Sequence, residues 1–404
     1  MPVTVRTEER TALKSKLAIV GLMLFTIFIG FGIIIPVLPQ LVSDVSDKSA
    51  NWHTGAMLAV YSLMSFLLSP VWGRLSESIG RRPVIMTGVL GFSVSFLIFG
   101  MSGDSLVLMY VSRVLGGLFS GAVVSSIVAY VADITTEKER TKGMAVVGMS
   151  IGLGFTFGPG VGGLLSDVSH HAPFYAAAAL SFIVFIAAML KLDESLPPER
   201  RAEMRNGAKP SRWVAFQGPL KALYVLAFFV TFSLAILEST LQLYGMDRYD
   251  VTPKQIGLMF FFCGLAGALV QGGVVRRSVK QGQESRFIAL GLVISAAGFF
   301  LLLTANSWVM ATVYLCVFGI GNSLIKPCVT SLITQKTTVG QGLASGLSSS
   351  MDSLGRIVGP VLGAGLLAVV GWLPFVVSGA LSLAALGLLA QFRSMDKRAA
   401  HASS

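Results

Sequence analysis

Long apolar segments recur along the whole chain and are separated by short polar or charged stretches. Twelve of them are each close to the ~20 apolar residues that a helix needs to cross a bilayer. The first is too long for the core of a signal peptide, so we expect it to be retained as a span. The pattern predicts an all-α polytopic membrane protein with spans near 16–41, 52–72, 83–101, 106–132, 143–166, 173–191, 218–245, 254–275, 285–304, 307–334, 340–367 and 371–392.

The composition points to the same class of protein. Hydrophobic residues occupy 53% of the 404 positions and charged residues only 13%, whereas a soluble domain carries about 25% charged residues. Cys263, Cys316 and Cys328 fall inside apolar segments and lack the spacing of metal ligands. We therefore expect no disulfide and no metal site.

The basic residues lie mainly in loops on one predicted side of the membrane. By the positive-inside rule this is the cytoplasmic side, and twelve spans then put both termini there. The net charge of +11 therefore fits a multi-pass protein of the cell membrane that attracts lipid headgroups, and not a nucleic-acid-binding protein. The predicted inner side holds Arg6, Arg10, Lys14, Lys16, Arg74, Arg81, Arg82, Lys138, Arg140, Lys142, Arg200, Arg201, Arg205, Lys209, Arg212, Arg276, Arg277, Lys280 and Arg286, whereas the outer loops hold Lys48, Arg248 and Lys254.

A polar, proline-containing segment with charges of both signs interrupts the apolar pattern at 192–217. Such a composition is typical of a cytoplasmic linker. It divides the chain into an N-terminal bundle of six spans at 16–191 and a C-terminal bundle of six spans at 218–392. The ends, 1–15 and 393–404, are predicted cytoplasmic tails.

A glycine–proline motif occurs once in each predicted bundle. Pro360 follows Pro159 by 201 residues, which indicates duplication of a whole bundle and not a short local repeat. The small residues clear one helix face for close approach to another helix, so we predict two pseudo-symmetric halves. The first copy contains Gly154, Gly158, Pro159, Gly162 and Gly163, and the second contains Gly355, Gly359, Pro360 and Gly363.

A charged loop between spans 2 and 3 combines glycines, an acid and paired arginines. Its glycines permit a tight turn, and the acid at the end of one helix faces arginines at the start of the next. A generic charged loop that only obeys the positive-inside rule is the alternative. The loop reads Gly73-Arg-Leu-Ser-Glu77-Ser-Ile-Gly80-Arg81-Arg82-Pro83.

This loop resembles the motif between helices 2 and 3 of the major facilitator superfamily, and the segment around Pro159 resembles a motif of its proton-coupled exporters. Arg113-Val-Leu-Gly-Gly in span 4 and Gly32-Ile-Ile-Ile-Pro-Val-Leu-Pro in span 1 are further matches. Beyond the superfamily, the chain is similar to the twelve-helix drug–proton antiporters of the NorA and Bmr type. The resemblance implies the fold of that superfamily.

The same resemblance implies a secondary exporter that works by alternating access. Its expected substrates are small hydrophobic or cationic drugs, such as quinolones and dyes, and protons would move in the opposite direction. The proton gradient would supply the energy, so no cofactor is expected. We also expect a monomer.

The loop between spans 2 and 3 also receives an expected role from the resemblance. Glu77, Arg81 and Asp133 would form an inner latch that is paired in one conformation and solvated in the other. Glu77 stands in place of the usual aspartate and Ser78 in place of a basic residue, so we expect a weaker or rearranged charge network. The expected latch residues are Gly73, Glu77, Gly80, Arg81, Arg82 and Asp133.

Few charges lie inside the predicted spans, where each costs about 2.5–3.5 kcal/mol on insertion scales. Glu238 in span 7 is an acid in an apolar helix, so it could carry either a proton or an organic cation and release one on binding the other. The resemblance also places an acid here, while a purely structural carboxylate is the alternative. Arg113 is expected either to organise the proton-linked side of the cavity, by resemblance, or to cap backbone carbonyls and polar groups of span 1.

Span 11 contains Asp352 and Arg356, which complete the expected proton-coupling or substrate residues. Their four-residue spacing favours an intrahelical ion pair. The alternative is a protonatable Asp352 that replaces the second acid of the NorA-type pattern, whose place Ser323 occupies. Lys326 in span 10 is expected to serve structure or cavity polarity.

Aromatic and polar side chains in several spans are candidates for lining a substrate cavity. Aromatic faces suit flat hydrophobic ligands. Core packing or lipid contact is the alternative for each of them. The candidates are Phe25, Phe28, Phe155, Phe232, Asn322 and Lys326.

Other functions are weighed against the same residues. The sequence contains no phosphate-binding loop and no histidine with a nucleophile or metal partner, so we do not expect an enzyme. A metal-tetracycline/proton antiporter is an alternative that Ser169–Tyr175 favours, although span 1 lacks the acid of those proteins. Export of a native metabolite, sugar or lipid also stays open, whereas a non-transporting scaffold would need no buried acid.

Overall fold

The structure of the chain is a computed structural model. Within the part that it describes, the chain is helical and contains no β-strand, and twelve helices are long and apolar enough to cross a membrane. These helices confirm the predicted all-α polytopic architecture. The described residues are 3–46, 49–197, 199, 216, 220–275, 282–337 and 341–403.

Parts of two sequence predictions lie outside the described residues. One is most of the predicted linker 192–217, of which 198, 200–215 and 217 are not described. The other concerns the loop charges Lys48, Arg276, Arg277 and Lys280.

Thirteen α-helices occur in the described ranges. Every one except the short α2 carries a candidate span, and the span that begins with α9 continues to Gly273, in a π-helical turn at Gln271–Val275. The helices are α1 Val3–Ile34, α2 Leu38–Val45, α3 Ala50–Ile79, α4 Arg81–Gly100, α5 Leu106–Ile134, α6 Glu137–Leu165, α7 Ala172–Lys191, α8 Leu220–Tyr249, α9 Pro253–Val270, α10 Glu284–Leu302, α11 Trp308–Lys336, α12 Gln341–Val369 and α13 Leu373–Ser403.

Local sequence explains several helix ends. The Ser105 side chain accepts the backbone N–H of Leu108 at the start of α5, and Thr252 forms a capping box with Gln255 at the start of α9. Between α3 and α4, Gly80 has a φ of 111°. Residues with a Cβ rarely adopt this conformation, so a glycine here lets the chain turn sharply between two long helices.

The chain forms two compact units. The first contains Met1–Val45 and Val60–Ala208, and the second contains Ser46–Ala59 and Lys209–Ser404. The start of α3 therefore belongs with the second unit, in which Gly55 lies directly against the backbone of Pro360. Each unit carries one copy of the glycine–proline motif.

In the first unit, the motif packs α6 against α1. A Cβ added to Gly158 would lie 2.8 Å from the carbonyl oxygen of Ile29, and one added to Gly162 would overlap the backbone of Ile33. The two backbones are therefore in direct contact, as the spacing of small residues predicts. The same face includes Gly154, while Gly163 is buried and Pro159 lies within the helix.

In the second unit, α12 packs against α8 in the same way. A Cβ added to Gly355 would lie 2.9 Å from the carbonyl oxygen of Phe228, and one added to Gly359 would lie 2.9 Å from that of Phe232. Both copies of the motif thus join the fifth span of a half to its first span, which confirms the predicted repeat. In the second unit, this contact also brings together the helices that carry interior charges.

Candidate functional site

A buried ion pair joins α8 to α12 in the second unit. Nη1 of Arg356 donates to Oε2 of Glu238 at 3.0 Å. The side chains are 19% and 9% exposed, respectively, so water screens the pair only weakly. Gly355 and Gly359 hold the two helices close enough for the side chains to meet.

A second ion pair joins α11 to α12. Nζ of Lys326 lies 3.2 Å from Oδ2 of Asp352, and the hydroxyl of Thr231 on α8 donates to Oδ1 of Asp352 at 2.6 Å. The Lys326 side chain is 57% exposed and that of Asp352 is 27% exposed. Lys326 and Thr231 therefore both hold Asp352. Among the interior charges whose ion pairs are described, Lys326 is the most exposed.

These contacts correct the predicted intrahelical pair between Asp352 and Arg356. The four-residue spacing made that pair plausible, because the side chains share one face of α12. In the structure Arg356 reaches Glu238 and Asp352 reaches Lys326 and Thr231. On an isolated helix, Arg356 and Asp352 have only each other as charged partners. In the packed structure, neighbouring helices supply an oppositely charged partner for each.

Two small cavities in the second unit have polar walls. One, of about 20 Å³, is lined by Thr231, Lys326, Thr330, Ser348 and Asp352 together with apolar side chains. The other, of about 10 Å³, includes Asn322, a predicted lining residue. The larger has room for one or two water-sized groups and the smaller for at most one, so neither holds a whole drug.

Arg113 lies in the core of the first unit and is 1% exposed. Its guanidinium carbon lies 4.6 Å from the ring centre of Phe99, 5.2 Å from that of Phe96 and 5.9 Å from that of Tyr61. Its Nη2 donates to the hydroxyl of Ser112 at 3.1 Å. Among the described residues it thus contacts aromatic rings and a hydroxyl, and the expected capping of backbone carbonyls is not seen.

The predicted latch residues Arg81 and Asp133 are in contact. Nε of Arg81 lies 3.1 Å from Oδ2 of Asp133, and its Nη1 donates to the hydroxyl of Ser76 at 2.7 Å. Arg81 is 3% exposed. Glu77 is half-buried, and Gly73 has open space around its α-carbon. The cluster is thus organised by Arg81, with Ser76 as a member that the motif did not single out.

Sequence reasoning missed an acid at this cluster, Glu194, which follows α7. Its Oε1 accepts the backbone N–H of Arg81 at 2.9 Å, and its Oε2 accepts that of Arg82 at 3.2 Å. The carboxylate therefore satisfies the first N–H groups of α4, where a negative charge also complements the helix dipole. Ser195 donates to Oδ2 of Asp133 at 3.1 Å.

The first residues of the predicted linker are thus part of the folded unit. Leu192 and Leu196 are each only 2% exposed, and Asp193 forms a 2.9 Å ion pair with Lys16. The hydrogen bond from Lys16 lowers the pKa of the Asp193 carboxyl. The two leucines that flank the acids in Leu192-Asp-Glu-Ser-Leu196 were the available sequence signal that this segment is folded. The partner of Glu194 could not be inferred from them, because it lies over 100 residues away along the chain.

The predicted aromatic lining divides into two groups. Phe28 and Phe155 pack together in the first unit, with ring centres 5.1 Å apart, and both are half-buried, as is Phe25. Phe232 is 6% exposed and stacks on Phe228 in the second unit. Phe232 is therefore a packing residue in this structure, while the other three retain exposed ring area.

Comparisons with known proteins give a consistent result. The sequence profile of the Major Facilitator Superfamily matches residues 20–338 and 281–403. Multidrug resistance protein 2 of Bacillus subtilis (strain 168) is 30% identical over 382 residues, which cover 93% of this chain and 95% of that protein. Quinolone resistance protein NorA of Staphylococcus aureus is 31% identical over 345 residues, which cover 84% of this chain and 86% of that protein.

Two solved structures share the fold. The human organic anion transporter MFSD10 (TETRAN) superimposes with a TM-score of 0.70 at 24% identity and covers 93% of this chain and 99% of that one. A bacterial homologue of the human lysosomal transporter Spinster gives a TM-score of 0.73 at 13% identity, covering 96% and 98%. At these identities the likeness concerns the fold alone.

Proposed function

This chain belongs to the Major Facilitator Superfamily, and from that premise we propose that it exports lipophilic, often cationic drugs in exchange for protons. The proposal is supported by relatives named for multidrug and quinolone resistance. It places the protein in the cell membrane as a monomer, with both termini in the cytoplasm. The proton gradient is its energy source, and no cofactor takes part.

The buried pair of Glu238 and Arg356 is the observation that carries the proposal. A carboxylate among apolar helices is stable as an ion only while a positive charge compensates it. Arg356, a proton or a cationic drug can each do so, but they compete for the same oxygens. Proton binding to Glu238 thus releases a cation, and cation binding releases the proton, which is the exchange that antiport requires.

The same competition supplies a conformational step. When a proton neutralises Glu238, the α8–α12 ion pair loses its electrostatic attraction. At Gly355 and Gly359 the backbones of α12 and α8 are in direct contact, with no side chain between them. We infer that protonation eases a shift of α12 along α8, and that the Arg81–Asp133 pair stabilises one of the two end states.

Transport by reconstituted protein tests the assignment of Glu238. In proteoliposomes with an imposed proton gradient, we expect Glu238→Gln to abolish gradient-driven ethidium transport, because the amide cannot exchange a proton. Asp247→Asn is the matched control, since Asp247 is an exposed acid near the end of the same helix and should leave transport unchanged. Gradient-driven transport at the wild-type rate in Glu238→Gln would falsify the coupling role.

A parallel assay separates the alternative substrates. Magnesium-tetracycline is tested beside ethidium and a fluoroquinolone under the same gradient. Transport of the metal complex alone would replace the proposal with the metal-tetracycline antiporter. Transport of none of the three would leave a native metabolite, sugar or lipid as the cargo.

A further inference from the structure

The interior charges of the second unit are balanced, which limits what its acids can bind. Glu238 and Asp352, the two acids that lie away from the ends of its described spans, are each paired with a base. Arg113 in the first unit adds a further buried positive charge. A ligand that reaches Glu238 or Asp352 therefore meets an acid whose charge is already matched by a base.

Lys326 is the base in this set that is free to take another partner. Its side chain is 57% exposed, whereas that of Arg356 is 19% exposed. An ammonium group can donate three hydrogen bonds, and the described contact of Nζ is with one carboxylate oxygen of Asp352. Asp352 is also anchored by Thr231, so the acid can stay in place while the lysine turns.

The cavity beside Lys326 combines an ammonium group with hydroxyls and a carboxylate. Thr231, Thr330, Ser348 and the carboxylate of Asp352 line it together with the ammonium group, and Val230 and Val329 supply apolar walls. Its volume of about 20 Å³ suits a group the size of a carboxylate and not a ring system. A ligand that fits would place a charged end here and its apolar body outside.

We propose that Lys326 binds the carboxylate of an amphiphilic drug. Thr231 holds Asp352 in place, and the lysine side chain turns towards the drug while it stays paired with that acid. This subsite favours an amphiphile that carries a carboxylate over a matched one that lacks it, and it leaves the exchange at Glu238 open to cationic drugs. The inference rests on the proposed export function and specifies its substrate class. The ammonium group bridges Asp352 and the incoming carboxylate, so Asp352 keeps its counter-charge during binding.

A matched pair of compounds tests the subsite. A zwitterionic fluoroquinolone and its methyl ester share one ring system, and only the first carries a carboxylate. Binding to detergent-solubilised protein is followed by the intrinsic fluorescence of the compounds, and transport is measured in proteoliposomes under a proton gradient. We expect wild-type protein to bind the acid more tightly than the ester.

Substitution of Lys326 should remove that difference. We expect Lys326→Met to weaken binding of the acid roughly tenfold or more, the effect of losing a charge-assisted hydrogen bond, and to weaken binding of the ester far less. Lys326→Arg should retain the preference. Lys336→Met is the control, because Lys336 forms a similar pair with Asp396 near the end of the same helix and outside the cavity.

A double variant guards against misfolding. Lys326→Met leaves Asp352 without its counter-charge, whereas Lys326→Met with Asp352→Asn removes both charges. The double variant should melt at nearly the wild-type temperature in detergent and still bind the ester, but show no preference for the acid. Equal affinity of wild type for acid and ester, or an equal loss of both in the variants, overturns the subsite. Absence of gradient-driven ethidium transport by wild type, with acid-selective binding intact, counts against the export function instead.

Discussion

At the scale of single residues, the same charge types have different surroundings in the second unit. Glu238 is buried against Arg356, while Asp352 is shared between a half-exposed lysine and a threonine. A buried charge depends on its partner far more than an exposed one does, because water cannot replace that partner. The two acids therefore suit different tasks, with Glu238 proposed for proton exchange and Asp352 for anchoring Lys326.

This difference predicts a stability effect for Arg356. Arg356→Met leaves the Glu238 carboxylate buried without its base, which costs about 3–5 kcal/mol where one partner of a buried pair is removed. We expect a clearly lower melting temperature in detergent at neutral pH. Adding Glu238→Gln should restore most of the loss, since no unpaired charge then remains. A double variant as unstable as the single one would contradict this account.

At the scale of helices, the two copies of the glycine–proline motif share a backbone contact but carry different side chains. Phe155 in α6 and Arg356 in α12 occupy equivalent positions, 201 residues apart. Phe155 packs on Phe28 and Phe31, whereas Arg356 pairs with Glu238. The backbone contact is retained in both units and the side chains have diverged, so the proposed proton chemistry lies in the second unit.

The close contact of α1 and α6 can be tested by adding one methyl group. A Cβ at Gly158 would lie 2.8 Å from the backbone of α1, whereas one at Gly152 on the same helix meets nothing within 4 Å. We expect Gly158→Ala to destabilise the protein by about 1–3 kcal/mol through overpacking and Gly152→Ala to have little effect. Melting temperatures in detergent give the comparison, and equal values for both variants would argue against direct backbone contact.

At the scale of the whole molecule, the chain that leaves the first unit is tied to the latch cluster. Glu194 caps α4 beside Arg81, and Ser195 contacts Asp133. The segment that leads towards the second half of the sequence is thus held by the same residues that are proposed to hold one conformation. Movement of this segment and opening of the Arg81–Asp133 pair are therefore expected to be coupled.

Glu194 provides the test of that coupling. Glu194→Ala removes the acceptor of two N–H groups at the start of α4 and should cost about 1 kcal/mol, as other helix caps do. We expect lower thermal stability and an altered rate of drug transport, measured in detergent and in proteoliposomes. Glu199→Ala changes an exposed acid of the same segment and should match wild type. If both variants transport the drug at the same rate, the segment is not coupled to the latch.

The helical spans and the repeat could be predicted from sequence because both are local or periodic properties. A run of apolar residues needs no partner to identify a span, and small residues at regular spacing mark a close helix face wherever it packs. The contact of Arg81 with Asp133 was also anticipated, from the resemblance of its loop. The roles of Phe232 and Arg113 could not be assigned, since burial depends on which face of a helix meets its neighbours.

The sequence by itself determined the class of protein, its twelve spans, its two halves and the small set of interior charges. Only the tertiary structure decided how those charges pair: Arg356 with Glu238, and Asp352 with Lys326 and Thr231. The reason is physical. Span formation follows from the solvent preference of neighbouring residues, whereas an ion pair forms with whichever opposite charge packing brings within reach, and that partner lies on another helix.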